Sequence, residues 1–563
     1  MTTPPPAQSG GFDVKPSDLN RVSGIVAAQQ SMLNKSAGDF VFELIKYPDC
    51  GGYGTAAKNL SAAYVKVGNR FLDVWARSIV SVGGVAVGFT TTANNYTTAE
   101  AASHPSGSKQ PTLYPIPQVI DKEPVYQRMS DLRWGDMDDY SSNLISWILE
   151  GIPDWAMDIL RDLIHHVYRW GKAGDILPLP DYLEIDKVAL AWLRPGFAVS
   201  QVDSTLTGAV SGITDPNNGE WQAAMRQFTS SLWGTTAWGK STAGYEWKHD
   251  TPTGQGGSSS HPVMTVLFDT TQQVSKIMRE FAEAAEEMRR NVHQVFRDAA
   301  FESLPNIKDG LDLDDFKKLG KSLLKMGKNL GLNITLNIDT GAINAAVTKY
   351  EGRLGELESR LKALLPALDE AYESAPTYQA EVARSQGFGA RALNEFKQQP
   401  KYTVPGEDKE NHFYPVDLAN QEGVHGSHVL DKHVGQSDSQ LLNRLRDQPT
   451  IAAASTFPDL AIAQKATQDS MDEIGPDPSK PENAGKPNLG VNNPQKIENW
   501  LSRPRGDNSI LTLDPVEFDY ATGRTIPAGS SSASDTHSVK VVLKYKNGID
   551  PPYVVYTSMP AHP

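Results

Sequence analysis

The chain is almost devoid of cysteine: Cys50 is its only thiol among 563 residues. A single thiol cannot form an intrachain disulfide, which excludes a small domain held together by disulfides. A lone cysteine next to glycines in a turn is more typical of an inert residue than of a nucleophile. The length instead leaves room for about three or four domains, each with a core of its own.

The chain also lacks an excess of positive charge. It has 53 Lys and Arg against 67 Asp and Glu, and its net charge is -14. This balance argues against a protein that wraps bulk nucleic acid, because neutralising phosphates needs a basic surface. It does not argue against a local site that cleaves one phosphodiester bond.

Long hydrophobic runs are missing as well. The first residues, "MTTPPPAQSGG", have neither the basic flank nor the apolar core of a cleavable signal peptide. The longest apolar stretch, around 79–89, is broken by glycines and is shorter than the roughly 20 residues of a spanning helix. We expect a soluble protein with no stable membrane insertion, which would leave a cell only by a route that does not read a classical signal.

Two amphipathic patterns open the chain. Apolar residues recur every three to four positions over about 16–44 and again over 60–89, and "YPDCGGYG" separates the two runs. Such spacing predicts two helices, and a turn this short predicts that they pack antiparallel. A two-helix hairpin is thin, so we expect partner helices to complete its core.

Tyr96 and Glu100 follow the second predicted helix, four positions apart and thus on one helix face. A helical hairpin that closes with Tyr-x-x-x-Glu resembles the WXG-type proteins exported by type VII (ESX) systems, over residues 12–105. The resemblance implies that Tyr96 and Glu100 form a secretion signal, and that the partners include the type VII machinery and small WXG-type helical proteins. The turn departs from the family, since "DCGGYG" stands where Trp-x-Gly is expected.

The middle of the chain is predicted to be helical scaffold. Residues 119–302 are rich in tryptophan and end in a long helical pattern over 262–302, typical of a second hairpin, and 310–395 is again helical. His165 and His166 are adjacent, so they point to different helix faces and do not suit a metal. A polar stretch at 396–422 is predicted to be a linker.

Residues 423–563 differ in character from the rest. Half of the chain's 12 histidines lie between His412 and His562, and short helical patterns are followed by strand patterns such as "HSVKVVLKYK" and "PYVVYTS". Ser437 has the position of an N-cap for the short helix that carries Arg444. The chain is therefore predicted to be multi-domain, with all-α N-terminal and middle regions and a C-terminal α+β domain of short helices followed by an antiparallel sheet.

The stretch "GSHVLDKHVGQSDSQLLNRL" (426–445) holds the densest set of chemical groups. His433 suits proton transfer because an imidazole titrates near neutral pH, and Arg444 suits phosphate because its planar fork matches two oxygens. A zinc site formed by His425, His428 and His433 is an alternative by spacing, although structural zinc usually recruits cysteines.

Four motifs occur in one order: "HVLDKHVG", "LLNRL", "AASTF", and "VVLK" before a last strand "VVYTSMP". Together they resemble the bacterial RNase A-like toxin domain of contact-dependent inhibition (CdiA-type) and other polymorphic toxins, over 423–563. The resemblance implies an RNase A-like fold, His433 as general acid/base, Arg444 on the scissile phosphate, and Thr557 as a hydrogen-bond donor to it. A tyrosine usual in the family is replaced by Met559. The candidates to fill the missing role are His428, Lys544 and His562, and Thr456 is a candidate for a further site hydroxyl.

These features predict a secreted antibacterial toxin that acts in the cytoplasm of a target cell. Its C-terminal domain would cleave RNA, such as a tRNA, by transphosphorylation without a metal or other cofactor, and a cognate immunity protein would protect the producer. Because this domain is slightly acidic, it would bind RNA through a local cationic pocket. Two alternatives stay open: a non-enzymatic type VII substrate with a binding or inactivated toxin domain, and a toxin with a different active site on a similar frame.

Overall fold

The structure of the protein is a computed structural model that describes residues 15–48, 50–102, 110–132, 180–213, 240–241, 244–245, 263–303, 338–394, 402–404 and 407–561. The pair His165–His166, the first part of the predicted helical region 310–395 and the near-terminal His562 lie outside these residues. Within them, the N-terminal and middle regions are helical and the C-terminal region is α+β, as the sequence predicts.

Seven helices form the N-terminal and middle part of the described chain. Helix α2 packs antiparallel on α1, α3 packs on both α1 and α4, and α5 and α7 pack on α2. A two-residue strand pair, β1 (Lys240–Ser241) and β2 (Gly244–Tyr245), is attached to this part. The helices are α1 (Pro16–Leu44), α2 (Thr55–Ala102), α3 (Tyr182–Ser211), α4 (Val263–Ser303), α5 (Thr340–Lys362), α6 (Leu365–Ser374) and α7 (Tyr378–Asn394).

An aromatic cluster joins the first hairpin to the helices that follow it. The ring of Trp192 in α3 lies 4.8 Å from that of Phe40 in α1 and 5.2 Å from that of Phe71 in α2. Its indole N–H donates a hydrogen bond of 3.1 Å to the Tyr64 hydroxyl. Each such aromatic pair adds about 0.5–1.5 kcal/mol beyond the area that it buries. Other helices therefore complete the core of the thin hairpin, as expected.

Helix α2 runs without a break past the predicted secretion motif. Tyr96 and Glu100 lie inside this helix rather than after it, with Tyr96 buried and Glu100 exposed. Over Thr55–Thr98 the helix has the length and apolar composition of a membrane span, but 94% of its most apolar window is buried inside the protein. Its apolar surface is thus used for packing against neighbouring helices.

The C-terminal region contains short helices and two antiparallel sheets. One sheet has the order β3-β6-β7, and in the other β8 pairs with β4 and β5 along one edge and with β9 along the other. Its elements are α8 (Leu418–Gln421), α9 (Val429–His433), α10 (Asp438–Asp447), β3 (Ala453–Thr456), α11 (Leu460–Asp472), α12 (Asn493–Leu501), β4 (Ile510–Thr512), β5 (Val516–Glu517), β6 (Gly523–Pro527), β7 (Ser534–Thr536), β8 (Ser538–Tyr545) and β9 (Tyr553–Ala561).

Helix α11 begins just after Pro458. Its N-cap is Asp459, whose side chain accepts a hydrogen bond from the Ile462 N–H. The strands β3, β6 and β7 were not predicted, since three to five residues carry too little alternation to show a strand.

The segment predicted to be a linker, 396–422, is packed where the structure describes it. Val416 and Leu418 are fully buried in the C-terminal core, and Asp417 is the N-cap of α8. The polar composition of this segment hides these contacts because only a few of its residues point inward. Its described part therefore belongs to the C-terminal domain.

Helix α7 packs on both parts of the chain. On one side Glu381 lies against Gly84 of α2, and on the other Ala383 is part of the C-terminal hydrophobic core. Arg384 forms an ion pair of 3.1 Å with Asp431 of α9. The predicted division between 310–395 and 423–563 thus has a continuous interface across it.

Candidate active site

The segment that carries His433 is attached to the end of strand β3. The Phe457 N–H donates to the His433 carbonyl at 2.7 Å, and the Gly435 N–H donates to the Phe457 carbonyl at 2.9 Å. The Thr456 hydroxyl accepts a hydrogen bond from the Gln436 N–H at 2.9 Å. Thr456, a supporting candidate, therefore lies at the site with its hydroxyl engaged by the backbone.

Helix α10 is stabilised by a complete capping box. The Ser437 side chain accepts from the Gln440 N–H, and the Gln440 side chain accepts from the Ser437 N–H. Ser437 is therefore the N-cap, as predicted. Arg444 lies in the last turn of this helix, where its guanidinium reaches back to donate to the Lys432 carbonyl at 3.1 Å. The fixed helix start thereby sets the position of Arg444 relative to His433.

The guanidinium of Arg444 lies over the imidazole of His433. One terminal nitrogen, Nη1, is 3.4 Å from both ring nitrogens of His433. An in-plane hydrogen bond would reach only one ring nitrogen, so this equal spacing indicates contact with the ring face. The pair predicted from an eleven-residue spacing is thus brought into direct contact.

His433 is buried, at 1% exposure, and is held in one tautomer. Its Nδ1 lies 3.1 Å from the Ser455 carbonyl oxygen, which can only accept, so Nδ1 carries the proton and Nε2 is left as the basic nitrogen. Burial, and next the charge of Arg444, lower the pKa of His433 well below its ordinary value. The imidazole is therefore neutral at pH 7, as a general base requires.

His428 is the second imidazole of the site. Its ring centroid lies 6.3 Å from that of His433. Its Nδ1 lies 2.9 Å from the Gly426 carbonyl oxygen, so the same reasoning leaves its Nε2 as the basic nitrogen. Partial burial lowers the pKa of His428, while the bond to Gly426 acts in the opposite direction. Two imidazoles of the same tautomer thus stand side by side, and His428 is the more exposed.

Thr557 is turned to one face of the sheet by a β-bulge in strand β9. Val542 pairs with Thr557 and Leu543 pairs with Val555, so Tyr556 is an extra residue without a partner on β8. Cross-strand partners share a face. Because Val542 and Leu543 are neighbours, Thr557 and Val555 face opposite sides although they are two positions apart.

Two polar atoms of the predicted site are buried without a partner. Among the described residues, the Thr557 hydroxyl and the Arg444 Nε–H make no hydrogen bond. A buried donor without a partner costs about 1–3 kcal/mol, so native proteins rarely leave one without a protein, water or ligand acceptor. Both atoms are hydrogen-bond donors, which is the property that a phosphate oxygen needs.

Tyr556 is a site residue that sequence reasoning missed. Its ring lies 4.9 Å from that of His428 at 85°. Regular alternation along the strand would place Tyr556 on the face opposite Thr557, away from the site. A sequence does not show the bulge, because a bulge is defined by how two strands pair. The Lys544 ammonium lies 5.1 Å from the centre of the Tyr556 ring and donates to the His425 carbonyl at 2.9 Å. Lys544, a supporting candidate, therefore contacts the Tyr556 ring and the loop that precedes His428.

Met559 shares a sheet face with Thr557, because its partner Lys540 is two residues from Val542. A thioether supplies no proton, so the role of the usual tyrosine is not filled from this position. No group of three His, Cys, Asp or Glu side chains within the described ranges is arranged to hold a metal ion. The zinc alternative at His425, His428 and His433 therefore gains no support among these residues.

A comparison with known protein families agrees with the C-terminal resemblance. One solved structure that is similar to this chain, described as "Crystal structure of CdiA-CT/CdiI complex from Y. kristensenii 33638", shares 21% identity, covers 24% of this chain and 100% of that chain, and has a TM-score of 0.19. No curated protein matches the chain. Residues 427–560 match the family described as the bacterial CdiA-CT RNAse A domain, which supports a toxin with a ribonuclease domain at this end of the chain.

Proposed function

We propose that the C-terminal region is a metal-independent endoribonuclease that cleaves RNA by transphosphorylation. The observation that carries the proposal is the set of contacts around His433: a neutral imidazole with a basic Nε2, a guanidinium on its ring face, and a second imidazole 6.3 Å away. The family match of residues 427–560 supports the same reaction class.

In this reaction one base and one acid act in turn. Nε2 of His433 takes the proton of the 2′-hydroxyl, whose oxygen attacks the phosphorus, and His428 gives a proton to the departing 5′-oxygen. The P–O5′ bond breaks as the P–O2′ bond forms, which leaves a 2′,3′-cyclic phosphate and a 5′-hydroxyl. Such proton transfers contribute about 10²- to 10⁴-fold each.

Charge decides how these roles divide. Both imidazoles have a lowered pKa in the free protein, so neither is a ready acid at pH 7. An RNA phosphate offsets the positive charges of Lys432 and Arg444 that depress the pKa of His428, and thereby favours its protonation. Binding of the substrate thus favours the protonated form of His428, which is the form that can act as the acid. The unpaired donors of Arg444 and Thr557 bind the phosphate oxygens on which charge develops.

The test uses the purified full-length chain with total bacterial RNA and with tRNA, in the presence of EDTA. We expect cleavage to products with 2′,3′-cyclic ends, and we expect His433→Ala and Arg444→Ala each to lower the rate by at least 100-fold. His537→Ala is the matched control, because His537 is an exposed histidine of the same domain and should leave the rate unchanged.

Other results would point to the alternatives. An intact chain that leaves every RNA uncut would favour a binding or inactivated toxin domain, and Met559 is the residue that motivates this reading. Cleavage that needs a divalent metal, or that leaves other ends, would favour a different active site on a similar frame.

We further propose that the chain is exported by a type VII system and acts in the cytoplasm of a target cell. The antiparallel pair α1–α2 and the Tyr96–Glu100 spacing support this proposal. Replacing Glu100 by Ala should abolish export while leaving cell-associated protein intact, because Glu100 is exposed and its loss disturbs no core. Unchanged export of this variant would contradict the motif.

A cognate immunity protein should protect the producing cell. We expect it to cover the exposed side of the site at His428, and to carry acidic groups that meet Lys432 and Arg444. Co-expression with the protein encoded directly downstream should restore growth and block cleavage by the purified chain. A neighbour that neither binds nor protects would contradict this assignment.

A further inference from the structure

The β-bulge of strand β9 brings Tyr556 to His428. Tyr556 is the unpaired residue between Val555 and Thr557. Bulges redirect side chains and are frequent beside active sites. Here the redirected ring meets the imidazole of His428 at 4.9 Å and 85°, an edge-to-face geometry that restricts how both rings rotate.

The loop before His428 is attached to the same bulge. The His428 N–H donates to the Tyr556 carbonyl at 3.2 Å, and the Ser427 hydroxyl donates to the Val555 carbonyl at 2.7 Å. Gly426 has a φ of +87°, and a side chain added there would lie 3.6 Å from the Tyr556 ring. The contacts that orient His428 thus converge on one irregular position of strand β9.

Lys544 completes this arrangement. Its ammonium lies over the Tyr556 ring and donates to the His425 carbonyl. The cation therefore connects strand β8, the tyrosine ring and the loop. A cation over an aromatic face is attracted by the ring electrons, which favours one orientation of the Tyr556 ring.

From these contacts we infer that Tyr556 is a positioning residue that orients the His428 imidazole for its proton transfer. The inference rests on the proposed ribonuclease function and deepens it. The acting group is the ring of Tyr556, not its hydroxyl.

The surroundings of His428 make the inference measurable. Lys432, Arg444, Asp431 and His433 are the titratable groups that face it from α9 and α10, and Tyr556 faces it from β9. Burial is the main cause that lowers the pKa of His428. Removing the ring admits water, so the pKa of His428 should rise toward its ordinary value when Tyr556 becomes small and aliphatic.

The variants are Tyr556→Phe, which keeps the ring, and Tyr556→Leu, which removes it. Met559→Leu is the control on the same strand. In the full chain with carbon-13-labelled histidine, NMR titration should show a higher pKa for His428 in Tyr556→Leu, and an unchanged pKa in Tyr556→Phe and Met559→Leu. An unchanged pKa in Tyr556→Leu would overturn the inference, whether or not the protein cleaves RNA.

Cleavage of bulk tRNA under single-turnover conditions gives the second readout. Tyr556→Leu should slow cleavage about 10- to 100-fold. It should also shift the limb of the pH–rate profile that reports the titration of His428, which is the limb that disappears in His428→Ala. It should have no further effect in the His428→Ala background. A full further loss in that background, or an equal loss in Tyr556→Phe, would show that Tyr556 acts on the substrate itself and would overturn a positioning role. If the wild type cleaves no RNA, the proposed function fails, and the NMR titration alone decides the role of Tyr556.

Discussion

Replacing Thr557 by valine should make the protein more stable and less active. The Thr557 hydroxyl is buried without a partner among the described residues. Leaving such a group unpaired costs about 1–3 kcal/mol, and valine has nearly the same shape without the hydroxyl. We therefore expect Thr557→Val to raise the opening free energy of the β8–β9 hairpin by about 1–2 kcal/mol. Loss of one donor to developing charge should lower the cleavage rate about 10²- to 10³-fold.

A matched control distinguishes this effect from an ordinary threonine-to-valine change. The Thr467 hydroxyl is also buried, but it shares a hydrogen bond of 2.7 Å with the Ser558 hydroxyl on the same strand. Thr467→Val leaves Ser558 without this partner, so it should lower the opening free energy by about 1–3 kcal/mol. The rate of cleavage by its folded fraction should not change.

Hydrogen exchange followed by mass spectrometry on peptides from β8 and β9 measures both opening free energies in the full chain. Cleavage of tRNA by the same preparations measures the rates. If Thr557→Val destabilises the hairpin as Thr467→Val does, the hydroxyl has a structural partner and the reasoning is refuted. If Thr557→Val retains the wild-type rate, Thr557 is not a donor to the phosphate.

Three further predictions concern the same domain and its junction with α7. Arg444→Lys should lower the cleavage rate about 10- to 100-fold, because an ammonium cannot both cover the imidazole and bind two phosphate oxygens. The control Arg446→Lys, at an exposed position of the same helix, should leave the cleavage rate unchanged. Gly435→Ala should cost more stability by urea denaturation than Gly548→Ala: both glycines have positive φ, but only at Gly435 would the added carbon lie 2.6 Å from the backbone of α7. Burial raises the pKa of Glu381 to about 8, so the folded protein holds this proton more tightly than the unfolded chain does. The free energy of unfolding should therefore be highest below pH 4.5 and fall as the pH rises to 8. Glu381→Gln should therefore reduce the pH dependence of the opening free energy, measured by hydrogen exchange on α7 peptides, by about 1.4 kcal/mol per pH unit. An unchanged pH dependence would refute this prediction.

Much of the C-terminal site could be predicted from local patterns. The capping box at Ser437 sets where α10 begins, and this start together with an eleven-residue spacing brings Arg444 onto His433. The imidazole and guanidinium themselves predict proton transfer and phosphate binding from their chemistry alone. The roles of these residues and of Thr557 stay predictions until cleavage is measured.

Other features required the packed chain. Sequence alternation missed Tyr556, because a bulge depends on how two strands pair and not on either strand alone. The sequence did not predict the interface of α7, because Glu381 and Ala383 have no pattern that distinguishes them from other helical residues. Glu381 is buried against α2, about 300 residues away in sequence, and Ala383 is buried in the C-terminal core. The burial of Val416 and Leu418 likewise depends on segments that come together only in the folded chain.

Local sequence patterns are enough to predict the helical and α+β character of the two parts of the chain, the capped helix and the chemistry of the catalytic candidates. These follow from periodicity, capping and side-chain chemistry, which act over a few residues. The packed fold is needed to establish which ring nitrogens carry protons, which face Thr557 occupies and which aromatic ring contacts His428. These depend on burial and strand register, which arise only when distant segments come together.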